Sequence, residues 1–390
     1  LTLPPTRLAS SPACRPPRVT PAFSCANPCP PTANIADMTQ APHAPTTADA
    51  HAPFVAELPR RVLAGEALSA DDCRRVLSDA SLDLIDLLHA AYAVRKARFG
   101  KVVQVHILNN AQNGNCPEDC SYCAQARTAD ADIDPYPLKS DDEVFEEARR
   151  AYEAGAHRYC MVFAGRGPNK RRTEKLASLV AEIKRRYPLE VCVSAGLLDD
   201  DKAAQLKAAG LDRYNHNLNT SRDNYAKICT THTYDDRVRT LRSAKNAGMD
   251  VCSGLIVGMG ETHDELIEIA LTLREFHAES IPVNFLLPIE GITLPDRQRG
   301  QLTPEFCLRV LCLFRLTNPE ADVRAAAGRE YHLKSLEPLC LLPANSIFRY
   351  GYFNCRPARR PRTYQMIRHA GFTIQSEHVL DKLLNNIPSD

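Results

Sequence analysis

Cys116, Cys120 and Cys123 fall in the run Cys116-Pro-Glu-Asp-Cys120-Ser-Tyr-Cys123, a C-x3-C-x2-C spacing that puts three thiols on one short loop. Thiolates grouped in this way bind soft metals or iron–sulfur clusters. A 4Fe–4S cubane normally takes four cysteines, so three ligands leave one iron open to a substrate or cofactor. The competing uses are a zinc knuckle and plain buried side chains. Zinc wants a fourth Cys or His at similarly short range, and the next thiol is Cys160. The open-site cluster is the better reading.

A ligand loop needs a frame, and the sequence predicts one. From Val102 onward, short β-branched or apolar runs alternate with amphipathic helical segments. The predicted strands are 102–109, 157–163, 189–195, 213–218, 250–257, 281–287, 321–326 and 344–350. Ser140 with Glu143, and Thr262 with Glu265, have capping-box spacing; Thr303-Pro304 reads as an N-cap with proline at the first helical position. Ala-Gly pairs ending at Gly155, Gly210, Gly248 and Gly371 mark helix ends, where glycine supplies the left-handed residue. Eight βα units in ~270 residues suit an α/β fold of TIM type, a (β/α)8 barrel. An open, doubly wound sheet is the alternative, and eight consecutive units favour closure. Barrel active sites lie at the C-terminal ends of the strands, and the cysteine loop directly follows the first.

The domain reading follows. Residues 1–55 are a Pro/Ala-rich tail without periodicity, expected to be disordered: either an over-extended start upstream of Met38 or an organelle transit segment. Residues 56–100 form an N-terminal helical extension, 101–351 the barrel, and 352–390 a C-terminal segment that closes it. A formal net charge of +1 shows no bias toward nucleic acid or an anionic membrane. No apolar run approaches the ~18 residues that span a bilayer. Fifteen cysteines are too sparse for a secreted disulfide framework, and their clustered members have ligand spacing. A reducing compartment, the cytoplasm by default, is expected.

Cys160, Cys192 and Cys252 each lie in a different predicted strand, and Arg324 in a fourth. Side chains alternate along a barrel strand, so all four are candidates for the interior. Free cysteine is often merely buried. A buried guanidinium is different, because it needs counter-charge, which three thiolates would supply. Asn215, His216 and Asn217 form a polar cluster at the end of the fourth strand, and Asn284 sits in an apolar one. Amides offer both donor and acceptor.

The string NGNCPEDCSYCAQ resembles the biotin synthase family of radical S-adenosylmethionine enzymes. HRYCMV, EVCVSAG, YNHNL, DVCSGLIVGMGET, PVNFL, DVRAAAGRE and PANSIF match in order, so the resemblance spans residues 60 to 350. It implies a 4Fe–4S cluster on Cys116, Cys120 and Cys123, with Tyr122 near the adenine of S-adenosylmethionine. It implies a 2Fe–2S cluster on Cys160, Cys192, Cys252 and Arg324. Gly254, Ile256, Gly258 and Glu261 fit the family's G-x-I-x-G-x-x-E pattern beside the adenine. Arg237 fits the partner of the methionine carboxylate. Asn217 and Asn284, with Asn215 beside them, match the contacts to a ureido ring, and Asn217 also lies near the cofactor ribose.

The implied activity is that of a sulfurtransferase making biotin from dethiobiotin by radical sulfur insertion. A flavodoxin- or ferredoxin-like electron donor and a homodimer come with it. A hydrogenase-cluster maturation protein on the same barrel is the nearest rival. Two departures stand out. Asn219 replaces the family's usual aspartate, and Asn354 and Cys355, followed by Arg356, Arg359 and Arg360, replace a Leu-Thr-Thr that holds the substrate carboxylate. Cys73, Cys229, Cys307, Cys312, Cys340 and Cys355 match no motif and read as packing or surface residues.

Overall fold

The computed structural model describes residues 48–296, 300, 302–349 and 362–376. The tail before Ala48 and the stretch containing Asn354 to Arg360 lie outside the described residues. Every ladder is parallel, and the first strand pairs with the ninth, so the sheet closes on itself. In chain order the strands are β1 (Val102–Asn110), β2 (Arg158–Val162), β3 (Glu190–Ser194), β4 (Arg213–Asn215) and β5 (Asp250–Cys252). Then come β6 (Leu255–Val257), β7 (Ser280–Phe285), β8 (Asp322–Ala325), β9 (Ser346–Phe348) and β10 (Thr373–Gln375). The ring runs β1-β2-β3-β4-β5-β7-β8-β9 and back to β1. β6 extends the β5 stave along β7, and β10 pairs with the start of β1. The barrel is closed, as the sequence predicts.

Three helices precede the ring: α1 (Ala48–Leu63), α2 (Ala70–Ser78) and α3 (Leu84–Phe99). Around it lie α4 (Asp141–Glu153), α5 (Lys170–Arg186), α6 (Asp200–Ala208), α7 (Arg222–Ile228) and α8 (Tyr234–Asn246). They are followed by α9 (His263–Glu275), α10 (Pro304–Thr317), α11 (Arg329–Leu333) and α12 (Arg362–His369). Both predicted capping boxes are formed, as is the Thr303 cap with its proline. Gly155, Gly210, Gly248 and Gly371 all have positive φ.

Helix α1 starts inside the segment read as tail. Val55, Leu58 and Val62 recur at helical spacing and are buried, so packing rather than composition sets where the helix begins. The extension lies against α10, where the Arg309 guanidinium donates to the carbonyls of Val76 and Leu82. Helix α10 is buried from Cys307 to Thr317, as expected of a helix covered on both sides.

Two staves differ from expectation. The fourth strand ends at Asn215, and the fifth breaks at Ser253-Gly254. Polar groups take over the ladder there. Asn219 donates its N–H to the Gly254 carbonyl at 3.0 Å and accepts from Ile256 N–H at 2.8 Å. Asn217 Oδ1 accepts from Gly254 N–H at 3.1 Å. A Cβ on Gly254 would stand 2.0 Å from the Pro282 carbonyl oxygen, so only glycine permits this crossing. Strand β10 was not anticipated at all.

Candidate active site

The cysteine loop leaves β1 at the C-terminal end of the barrel and is stitched to the segment that follows α7. Ser121 N–H donates to the Ile228 carbonyl at 2.8 Å. Asp119 accepts from the backbone N–H groups of Thr230 and Thr231 at 2.9 and 3.2 Å, and from the Thr230 hydroxyl. Glu118 accepts from the Thr231 hydroxyl at 2.6 Å and faces His232 Nδ1 at 2.5 Å. The two acids between the cysteines thus hold the loop in place. The sequence reading missed them, although carboxylates beside ligand thiols were a visible signal.

A cavity of about 240 Å³ opens at this end of the barrel, lined by Cys116, Tyr122, Cys123, Asn215, Asn217, Asn219, Arg237, Ile256 and Asn284, among others. Cys120 lies behind it, buried. Burial raises the Cys116 thiol and pushes Cys123 up to about 11, so iron must displace protons that the metal-free chain holds firmly. Three thiols beside an open cavity fit a cluster with one accessible iron.

Arg237 is buried, and three of its five N–H groups are engaged. It donates to Tyr225 Oη, to the Asn217 carbonyl at 2.8 Å and to His232 Nε2 at 2.8 Å. His232 therefore carries its hydrogen on Nδ1, facing Glu118. Asn219 sits at φ 71°, a left-handed conformation that asparagine tolerates, and its amide donates to Tyr122 Oη. Of the Gly254, Ile256, Gly258 and Glu261 set, only Ile256 lines the cavity. Glu261 caps its own turn, accepting from the N–H groups of Gly258 and Met259 at 2.6 and 2.7 Å.

Below this cavity lies a second, smaller one. Cys160, Cys192, Cys252 and Arg324 all line it, together with Arg158, Pro282 and Phe348. Cys160 and Cys192 are register partners on β2 and β3. Arg324 Nη1 reaches Cys252 Sγ at 3.7 Å, and Nη2 donates to Ser280 Oγ at 2.7 Å and Asp322 Oδ2 at 2.9 Å. The hydrogen bond with Cys192, together with the three nearby arginines, brings Cys160 down to about 7 and raises Cys192. Burial opposes the charge on Arg324, but Asp322, Cys252 and Cys160 outweigh it and raise its pKa. The Nε atoms of Arg158 and Arg324 are buried without a hydrogen-bond partner. Three buried thiols among arginines with unmet donors fit an anionic 2Fe–2S centre.

Val162, Ser194, Asn215, Asn217 and Asn284 line both cavities, so the two are stacked along the barrel axis with the asparagines between them. Asn284 Nδ2 donates to the Leu255 carbonyl at 2.9 Å, and its Oδ1 accepts from Ala327 N–H at 3.2 Å. One lone pair remains on that oxygen. Asn217 commits its Oδ1 to Gly254 and leaves its donor group toward the cavity. Asn215 Nδ2 donates to Cys252 Sγ at 3.1 Å. Cys229, read from sequence as packing, lies 3.7 Å from Cys120. The two are 109 residues apart, and nothing local announces the contact.

A closed parallel barrel with a three-cysteine loop at the carboxyl end of its first strand defines a radical S-adenosylmethionine enzyme. The Radical SAM superfamily model matches residues 113–273, and that of the Biotin and Thiamin Synthesis associated domain matches residues 282–373. Biotin synthase from Magnetococcus marinus is 52% identical over 313 residues, 80% of this chain and 97% of that protein. Biotin synthase from Acaryochloris marina is 51% identical over 302 residues, 77% of this chain and 87% of that protein. The chain belongs to the biotin synthase family.

Solved structures agree on the fold. Methylornithine synthase superposes with a TM-score of 0.70 at 22% identity, covering 81% of this chain and 97% of that one. The FeFe-hydrogenase maturase from Carboxydothermus hydrogenoformans gives 0.71 at 17% identity, covering 86% and 83%. Among the described residues no helix is long and apolar enough to cross a membrane.

Proposed function

We propose that this chain is a sulfurtransferase that converts dethiobiotin to biotin, with the substrate's ureido ring held between the two stacked cavities. The stacking carries this reading: the same asparagines line the cavity beside the open thiol loop and the cavity of buried thiols. Cys116, Cys120 and Cys123 would hold the 4Fe–4S cluster; Cys160, Cys192, Cys252 and Arg324 would hold the 2Fe–2S cluster. When bound, the first cluster and S-adenosylmethionine supply hydrogen abstraction from unactivated C–H bonds, and the second cluster supplies sulfur.

The chain's own part is position and exclusion of water. The free donor of Asn217 suits the ureido carbonyl, and the remaining lone pair of Asn284 suits a ureido N–H. Arg237 presents its guanidinium to the cofactor carboxylate, and Tyr122 and Ile256 form the wall for the adenine. Gly254, Gly258 and Glu261 act on the adenine through the turn they shape. Arg324 is firmly protonated and must release that proton to meet iron, so we assign it the weakest of the four ligand roles. The substrate's own carboxylate would fall to backbone N–H groups near Asn354 or to an arginine such as Arg356, in a stretch outside the described residues. A flavodoxin- or ferredoxin-like protein as electron source, a homodimeric assembly and a cytoplasmic location complete the reading.

The test is conversion of dethiobiotin to biotin by anaerobically reconstituted protein, with restored biotin-independent growth in a strain lacking the activity. Cleavage of S-adenosylmethionine with both clusters intact but no biotin formed would point to another substrate.

A further inference from the structure

His232 lies in the short link between α7 and α8, buried at 7% exposure, and its ring stands between the cysteine loop and Arg237. Nε2 faces Arg237 Nη2 at 2.8 Å, and Nδ1 faces Glu118 Oε2 at 2.5 Å. A guanidinium only donates, so Nε2 accepts and Nδ1 carries the hydrogen. Cys229 Sγ and Thr231 Oγ1 lie farther from Nδ1, at 3.3 and 3.5 Å, so Glu118 receives it. The backbone here does not depend on the ring. Thr230 and Thr231 are tied to Asp119 through their N–H groups, and Thr233 closes a capping box with Asp236 at the start of α8. The ring therefore acts through what it touches. Among the described residues no carboxylate pairs with Arg237 directly; Glu118 reaches it through the imidazole.

That arrangement suits an arginine that must bind an anion. A carboxylate in direct contact would take the forked pairing that an incoming carboxylate needs. An imidazole nitrogen that accepts one N–H fixes the guanidinium without cancelling its charge. We infer that His232 is a positioning residue for the cofactor. It turns the Arg237 guanidinium, in the wall of the upper cavity, so that the two N–H groups left over meet the carboxylate of S-adenosylmethionine. Glu118 orients the imidazole from the cysteine loop, as a carboxylate does behind a metal-bound histidine. The inference rests on the reading of Arg237 as the partner of the cofactor carboxylate. It adds one thing to that reading: the cysteine loop and the cofactor clamp are aligned by a single chain, Glu118 to His232 to Arg237.

The experiment compares the full chain with His232→Phe, His232→Leu and His232→Gln after anaerobic reconstitution. Iron and sulfide are counted first. Binding of S-adenosylmethionine is then measured by titration calorimetry, and its reductive cleavage is followed over a range of cofactor concentrations. His232→Phe and His232→Leu should load the cluster fully and bind the cofactor about tenfold more weakly, the order of one hydrogen bond to a charged group. The cleavage rate at saturating cofactor should hold, because the lost interaction is made in the bound state and the transition state alike. Glutamine can accept from Arg237 and donate to Glu118, so His232→Gln should recover most of the affinity. Unchanged affinity in the phenylalanine and leucine variants overturns the inference. So does a glutamine variant as weak as phenylalanine, or a loss confined to the saturating rate. Failure of the phenylalanine and leucine variants to load iron also overturns it, and would make His232 part of the loop's own support. A full chain that forms its cluster but binds no S-adenosylmethionine would instead overturn the reading of the cofactor site.

Discussion

The guanidinium of Arg237 donates to the main-chain carbonyl of Asn217 at 2.8 Å. The residue proposed to meet the cofactor carboxylate therefore holds the backbone of the residue proposed to meet the substrate. Loss of one disturbs the other.

Arg237→Ala should raise the KM for S-adenosylmethionine by about a hundredfold, from the loss of a charge-assisted contact, and should raise that for dethiobiotin by a smaller factor. Arg237→Lys keeps the charge but not the fork, so it should recover less than half of the lost binding free energy. Steady-state cofactor cleavage with each ligand varied measures both. A change confined to the cofactor would break the link to Asn217.

The two thiol sets should separate cleanly. Cys120→Ala should abolish reductive cleavage of S-adenosylmethionine, and normal cleavage by the reconstituted variant would sink the assignment. Cys252→Ala should keep cleavage, lose the 2Fe–2S spectrum and make no biotin. Arg324→Met should retain part of that cluster with an altered spectrum, since arginine is the poorest ligand of the set.

Asn217→Asp keeps the oxygen that receives Gly254 N–H and removes the amide donor. It should raise the KM for dethiobiotin by tenfold or more, on the order of one hydrogen bond to a polar partner, and leave cofactor cleavage running without product. Product per cofactor cleaved is the measurement. An unchanged ratio would remove Asn217 from the ureido site.

Asp322 is a buried carboxylate that faces Arg158, Arg213 and Arg324, at 3.6, 3.6 and 2.9 Å. Burial alone would raise its carboxyl, but the three arginines hold it well below the usual range. Asp322→Asn should cost about 3–5 kcal/mol, as expected when one partner of a buried ion pair is removed. Chemical denaturation of the metal-free chain checks this. A loss under 1 kcal/mol would show that the arginines find other partners.

What was legible in the sequence was what is encoded locally. The cysteine loop is a matter of spacing within eight residues, Cys116 to Cys123. The capping boxes and terminal glycines punctuate the helices. Alternation along β2, β3, β5 and β8 made Cys160, Cys192, Cys252 and Arg324 candidates for the interior, and the family resemblance joined them in one site. Long-range contacts were not legible. Cys229 meets Cys120, and His232 meets Glu118, only because α7 ends beside the loop. Strands β4 to β6 were read as two unbroken runs, because nothing in YNHNL or SGLIV says that an asparagine backbone will enter the neighbouring stave. Strand β10 has three residues, Thr373–Gln375, and gains its shape from the edge it joins.

The layer of Arg158, Arg213, Arg324 and Asp322 has one more consequence. It fills the floor of the barrel with paired charges, all buried, directly beneath the three interior thiols. Among the described residues, the cavity those thiols line adjoins the upper cavity at the asparagines, the space that the proposed function gives to substrate and cofactor. On that proposal, sulfur consumed in one round would be replaced by the route that product leaves by. Departure of product would then come before repair, as in a cartridge loaded from the muzzle.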